Sequence, residues 1–159
     1  MLLKTVGALL LFGISLYAAM ESGQSLRRRM LQGEGMLQLL RHIRTQISCF
    51  STPLPEIYAS FENPALSDAG FLRVLRQDGL AAALDACEVC LEESERRMLL
   101  SFAEELGNSY RTDQLALCDA YIDELAAVCE RKKNELPKKS KLYRSLILTG
   151  GLAAVILLL

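Results

Sequence analysis

The sequence predicts an all-α protein in which two terminal transmembrane helices flank a cytoplasmic helical bundle of about six helices. Uncharged apolar stretches occupy both ends of the 159-residue chain. Between them, apolar residues recur at steps of three and four, as on one face of a helix. No segment alternates polar and apolar residues as a half-buried strand would. We therefore expect three segments: an N-terminal span (1–21), a bundle domain (22–137), and a basic flank with a C-terminal span (138–159).

The N-terminal span is predicted by an uncharged run over residues 5–20 that follows Lys4. A cleaved signal peptide is the alternative for a short apolar run behind one basic residue. Bulky side chains stand among the small ones that a cleavage site would need, which favours a retained span. A basic flank follows the run, as after a stop-transfer segment: Arg27, Arg28 and Arg29.

The C-terminal span is predicted by residues 145–159, which carry no charge. At a helical rise of about 1.5 Å per residue, the chain from Leu142 onward comes close to a hydrocarbon thickness of about 30 Å. Basic side chains at the near end can snorkel toward the head groups. This flank consists of Lys138, Lys139, Lys141 and Arg144.

Charge is distributed unevenly along the chain. Basic flanks on the inner side of both spans place the bundle in the cytoplasm and both termini outward, by the positive-inside rule. Residues 45–130 contain sixteen acidic residues against five basic ones. An acidic lobe suits a basic protein partner, and the lack of a basic stripe with interleaved aromatic residues speaks against nucleic acid. The expected partner-facing acidic surface is Glu88, Glu92, Glu93 and Glu95.

The first half of the bundle is expected to hold two helices. An amphipathic helix over 26–50 has an apolar stripe that ends at Phe50, and Gly33 and Gly35 are expected to loosen it. A second helix over 53–61 is predicted to start with Pro53 in its first position and Thr52 as its cap.

Four further helices are predicted, over 67–78, 79–91, 94–106 and 112–136. Gly79 and Gly107 are expected to stop the helices before them. Thr112 or Asp113 is expected to cap the last helix, and Pro137 should kink or end it. The side chains expected to face inward are Leu66, Phe71, Leu72, Leu75, Leu99, Phe102, Ala103, Leu106, Leu115, Cys118, Ile122, Leu125 and Cys129.

The five cysteines are odd in number and irregularly spaced, which is typical of reduced core thiols. Cys87 and Cys90 would share one face of a helix, so a membrane-tethered thiol redox or metal-binding protein is the alternative function. No paired ligands complete such a site, and packing is favoured. His42 is expected to be a solvated surface residue. Without a phosphate loop or nucleophile elbow, we expect no enzyme, cofactor, metal or small-molecule substrate.

Three separated sets of residues carry a resemblance to a known family: the turn Pro53-Leu54, the helix end Phe102, Leu106 and Gly107 with Gln114, and Tyr143 with Gly151 in the tail. In this order, in a two-span chain of this length, they resemble the stage III sporulation protein AB family. That family is itself similar to the inner-membrane F protein of type II secretion systems.

The resemblance implies a type II secretion F-like fold and a role as a non-catalytic platform. Such a protein would belong to the channel complex that links mother cell and forespore during endospore formation. It would lie in the mother-cell membrane with its helical domain in the mother-cell cytoplasm. The implied partners are the other subunits of that complex, including its cytoplasmic ATPase, and membrane lipids.

Overall fold

The computed structural model describes the backbone of residues 2–50, 52–108 and 110–158, and the side chains of residues 25, 27–50, 52–108, 110–134 and 149. Every regular element in these ranges is a helix, which confirms the all-α fold class. In chain order the helices are α1 (Leu2–Phe50), α2 (Leu54–Ser60), α3 (Pro64–Ser67), α4 (Phe71–Ala86), α5 (Glu93–Glu105) and α6 (Arg111–Leu158).

The chain forms two compact units. One is Arg28–Arg131, and the other consists of the N-terminal part of α1 with the C-terminal part of α6. Residues 2–21 and 138–158 of the two predicted spans are helical in backbone, but apart from Thr149 the side chains of both spans lie outside the described residues. Within the part of the chain that is described, no helix is both long and apolar enough to cross a membrane.

The unit Arg28–Arg131 is built around one hydrophobic core. On α1 the buried side chains follow the helical period, from Met36 through Leu40 and Ile43 to Ile47. Of the side chains between Leu66 and Cys129 that were predicted to face inward, Ala103, Leu115 and Cys129 are half-buried and the others are buried. Each fully buried Leu, Ile or Phe contributes about 1.5–3 kcal/mol relative to exposure.

Helix α1 is continuous through Gly33 and Gly35, so the predicted loosening there is wrong. Both glycines are buried. An added Cβ at Gly35 would stand 3.0 Å from Asn63 Oδ1 and 3.1 Å from Leu66 Cγ. The glycine therefore serves close approach of the α3 region to α1, and packing offsets the low helix propensity of glycine.

A matched pair of glycine variants tests this close approach. At Gly33 the nearest atom to an added Cβ is Cys129 Sγ at 3.6 Å, an ordinary contact. Both alanine substitutions gain the same helix propensity, so their difference isolates the overpacking. We expect Gly35→Ala to be less stable than Gly33→Ala by about 1–3 kcal/mol in urea unfolding of the full chain. Equal stabilities would contradict the packing at Gly35.

The connection after α1 differs from the prediction in its cap. Helix α2 begins at Leu54, with Pro53 in an extended conformation as its N-cap and no side-chain capping bond. Thr52 does not cap the helix, because its hydroxyl is directed to Gln46 Oε1 at 3.3 Å. The short helix α3 does carry a side-chain cap, since Asn63 Oδ1 accepts from the Leu66 N–H at 3.2 Å.

The predicted helices 67–78 and 79–91 are replaced by α3 and α4. Helix α4 is interrupted at Gly79 (φ 87°, ψ −178°), which confirms a break at that glycine. The helix resumes but ends at Ala86, and Cys87 is extended (φ −107°, ψ 135°). Helix ends are set here by long-range contacts, because the Cys90 N–H donates to Gln32 Oε1 on α1 at 2.8 Å.

Helix α6 begins at Arg111, so neither Thr112 nor Asp113 is its cap. Its first turn is closed by a hydrogen bond from the Gln114 N–H to the Tyr110 carbonyl at 2.9 Å. Of the two outcomes predicted at Pro137, a kink or an end, the end does not occur, since α6 continues to Leu158. A proline removes one backbone hydrogen bond, and the good helix formers on both sides keep the helix going.

Candidate functional site

The predicted acidic surface lies at the start of α5 and in the extended segment before it. Glu88, Glu92 and Glu93 are exposed. Glu95 is only 3% exposed and is not part of a surface that a partner could reach. The sequence shows how many acidic residues lie together. It does not show which of them face solvent and which accept hydrogen bonds from the backbone.

Glu95 has a local structural role instead. Its Oε2 accepts a hydrogen bond from the Glu92 N–H at 2.8 Å, at the N-terminal end of α5. The first backbone N–H groups of a helix have no partner within the helix, and an acidic side chain three residues in supplies one. The carboxylates of this first turn also interact favourably with the helix dipole.

Two arginines of α5 reduce the negative charge of this face. Arg96 Nη2 lies 2.9 Å from Asp85 Oδ1 of α4, and Arg97 Nε lies 3.4 Å from Glu93 Oε1. All four side chains are at least 40% exposed, so each pair contributes little to stability. The face nevertheless keeps the exposed carboxylates of Glu88 and Glu93 at its edge.

The cysteines are placed differently from the helix face that the alternative function assumed. Cys87 and Cys90 lie on an extended segment and not on one helix face, so the geometric basis of that alternative is wrong. All five cysteines are free, and no group of three or more potential metal ligands occurs among the residues described. Burial raises the pKa of the Cys118 thiol to about 11, which keeps it protonated at neutral pH.

His42 is packed and not solvated, contrary to the prediction. Its ring lies 5.5 Å from the ring of Phe61, and its Nε2 is 3.0 Å from Ser60 Oγ. It is half-buried between α1 and the end of α2. With a serine hydroxyl and an aromatic ring as neighbours, it has a packing role.

The motif residues Leu54, Phe102, Leu106 and Gly107 meet at one end of the bundle. Gly107 has a φ of 90°, and a Cβ added there would stand 3.3 Å from Leu54 Cδ1. The Leu106 N–H donates to the Phe102 carbonyl at 2.9 Å and ends α5. The α5–α6 turn therefore packs against the start of α2.

The remaining motif and flank residues fall into two groups. Pro53 is the N-cap of α2 and Gln114 belongs to the first turn of α6, and Arg27, Arg28 and Arg29 are exposed on α1. The side chains of the others lie outside the described residues: Lys138, Lys139, Lys141, Tyr143, Arg144 and Gly151.

Two exposed aromatic residues were not predicted. Phe50, expected to end the inward stripe of α1, is 70% exposed, and Tyr110 is 84% exposed. The helical period continues to Phe50, but the elements that would cover it do not reach it. Tyr110 precedes α6 and belongs to no apolar stripe of a helix. In the sequence, only its aromatic side chain indicates a possible contact residue.

An ion pair also links α1 to α6 within the unit Arg28–Arg131. Arg44 of α1 contacts Asp119 of α6 through its Nε and Nη2, the longer contact being 3.2 Å from Nη2 to Oδ2. The Arg44 guanidinium holds the pKa of the Asp119 carboxyl below its usual range. Both side chains are at least 40% exposed, so the pair contributes little to stability even with two contacts.

Comparison with known proteins gives one match. A family model described as stage III sporulation protein AB matches residues 4–72 and 76–159, which is nearly the whole chain. No curated protein and no solved structure matches the chain.

Proposed function

The chain belongs to the stage III sporulation protein AB family and so has a role in sporulation, and from this premise we propose that it is a non-catalytic membrane platform. In this proposal it is an assembly subunit of the secretion-like channel complex between mother cell and forespore. The single observation that carries the proposal is the family match over both the bundle and the two apolar ends.

The membrane part of the proposal is supported by the sequence at both ends and by the backbone. The ends carry uncharged apolar runs with basic flanks on their inner sides. Arg27, Arg28 and Arg29 are exposed where α1 leaves the unit Arg28–Arg131. The proposed arrangement has spans at 1–21 and 138–159, the bundle in the mother-cell cytoplasm and both termini outward.

The platform part of the proposal is supported by the exposed carboxylates on the α4–α5 side. Glu88 and Glu93 are the two members of the acidic surface that are exposed and do not hold the start of α5. We propose that they receive a basic face of a soluble partner, with the cytoplasmic ATPase of the complex as the expected one. Charge complementarity of this kind mainly sets the association rate and the choice of partner.

Charge reversal tests this surface. We expect Glu88→Lys with Glu93→Lys to reduce recovery of the ATPase in a pulldown from sporulating cells by about tenfold, because like charges would then face each other. Asp78→Lys with Asp123→Lys is the matched control, since both are exposed carboxylates on other helices. Thermal unfolding of both variants verifies folding. Equal recovery with the two pairs would exclude the α4–α5 surface.

A further inference from the structure

The end of the bundle formed by the α1–α2 connection and the α5–α6 turn carries an unusual surface. Phe50 ends α1 at the first of these segments and Tyr110 lies in the second, and with Leu31 they are the large apolar side chains that are exposed among the residues described. The segments touch, because Arg111 Nη2 donates to the Ser48 carbonyl and Gly107 packs on Leu54. We call Phe50 and Tyr110 the aromatic patch.

Aromatic side chains so exposed gain little burial free energy within the chain, and would gain it if another molecule covered them. Most surface apolar residues are covered in part by their neighbours, whereas Tyr110 remains 84% and Phe50 70% exposed. Aromatic residues are the side chains most often responsible for binding energy at protein interfaces. Phe50 ends α1 and Tyr110 directly precedes α6. The hydrogen bond from Arg111 to the Ser48 carbonyl joins these two segments.

The charges around the patch indicate what covers it. Four exposed carboxylates lie on the same two segments or in the turns next to them: Glu56, Glu104, Glu105 and Asp113. The one basic residue there is Arg111, whose guanidinium is directed to the Ser48 carbonyl. An aromatic centre with an acidic rim fits a partner with an apolar centre and a basic rim.

The same charges disfavour the two other occupants that could cover an apolar patch. Two copies of this chain meeting patch to patch would bring both sets of four carboxylates together, and the single arginine of each copy, Arg111, would not balance the repulsion. A bilayer with anionic head groups would repel the acidic rim. A basic protein surface remains as the occupant with favourable electrostatics.

We propose that the aromatic patch and its acidic rim are a docking site for a basic, apolar-centred segment of a protein partner. This rests on the platform role proposed above but concerns a second surface, separate in sequence from Glu88 and Glu93. Phe50 and Tyr110 supply the contact area, while Glu104, Glu105 and Asp113 select a partner by charge.

Site-specific photocrosslinking in sporulating cells tests the docking site on the full chain. The photoreactive residue p-benzoylphenylalanine replaces Tyr110, which keeps an aromatic side chain there, and replaces Gln77 as an exposed control on α4. We expect an adduct with a protein other than this chain from position 110 and none from position 77. The triple change Glu104→Gln, Glu105→Gln, Asp113→Asn should weaken the adduct by about tenfold.

Three exposed acids elsewhere give the charge control: Asp78→Asn, Asp123→Asn and Glu124→Gln should leave the adduct unchanged. The docking site is contradicted if position 110 gives no adduct, or gives one with lipid or with a second copy of this chain. It is also contradicted if neutralising Glu104, Glu105 and Asp113 does not weaken the adduct. A probe at Glu93 separates the two proposals. If position 93 captures a protein of the complex while position 110 does not, the platform proposal is supported and the docking-site proposal is contradicted. If both positions fail, both fall.

Discussion

Replacing Phe102 by alanine should lower the free energy of unfolding by about 3–5 kcal/mol. The side chain is fully buried on α5, and its ring centroid lies 5.3 Å from that of Tyr121 on α6 at a tilt of 57°. The variant loses the transfer free energy of the ring, leaves a cavity between two helices, and removes a favourable aromatic pair. Urea unfolding of the full chain measures the change.

Tyr110→Ala is the matched control for Phe102→Ala. It also removes an aromatic ring, but one that is 84% exposed, so the free energy of unfolding should change by no more than about 0.5 kcal/mol. A loss below about 1 kcal/mol for Phe102→Ala would contradict the packing of α5 on α6. The pair also separates stability from binding, because Tyr110→Ala should weaken partner capture while the chain stays folded.

The largest effect is expected from charges placed in the proposed C-terminal span. Leu152→Arg with Val155→Arg should oppose insertion by about 5–7 kcal/mol, because each arginine near the centre of a membrane helix costs about 2.5–3.5 kcal/mol. A phosphatase reporter that is active only outside the cytoplasm, fused after Leu159, measures the outcome. We expect the parent chain to give activity and the arginine variant to lose it.

Leu152→Ala with Val155→Ala is the control for that experiment, because it shortens the same side chains and adds no charge. Reporter activity should persist in this variant. The proposed topology would be contradicted if the parent fusion were inactive with the reporter intact. It would equally be contradicted if the arginine variant remained fully active, since a segment that tolerates two arginines would not lie in hydrocarbon.

The core of the bundle was predictable because burial leaves a periodic trace in the sequence. Leu99 and Leu125 were placed inward by helical spacing, and both are fully buried. The breaks at Gly79 and Gly107 were predictable because both residues have positive φ, which glycine adopts without strain. These features depend on local chemistry, so a single sequence carries them.

The errors fall where distant residues decide the local structure. A helix pattern continues through Cys87 and Cys90, yet the Gln32 side chain of α1 binds the Cys90 N–H in an extended segment. Gly35 predicts a loosened helix by its propensity, whereas its lack of a side chain leaves space that Asn63 and Leu66 occupy. No periodicity encodes such contacts between positions far apart in sequence.

The candidate surfaces were predictable only in part. Net charge identified an acidic lobe, and the exposure of Glu88 and Glu93 agrees with an accessible acidic face. Net charge did not identify Glu95 as a buried hydrogen-bond acceptor at the start of α5. The exposure of Phe50 depends on where neighbouring elements end, which helical spacing alone does not reveal.

The accessibility of Cys49 has a practical consequence. Cys49 is the exposed cysteine among the five, whereas Cys118 is buried and the other three are half-buried, and it directly precedes Phe50. A maleimide fluorophore should therefore react first with Cys49. The natural chain could then report binding near Phe50 through the emission of the attached fluorophore. Changes in emission on mixing would give the arrival and departure times of a docked protein without any engineered residue.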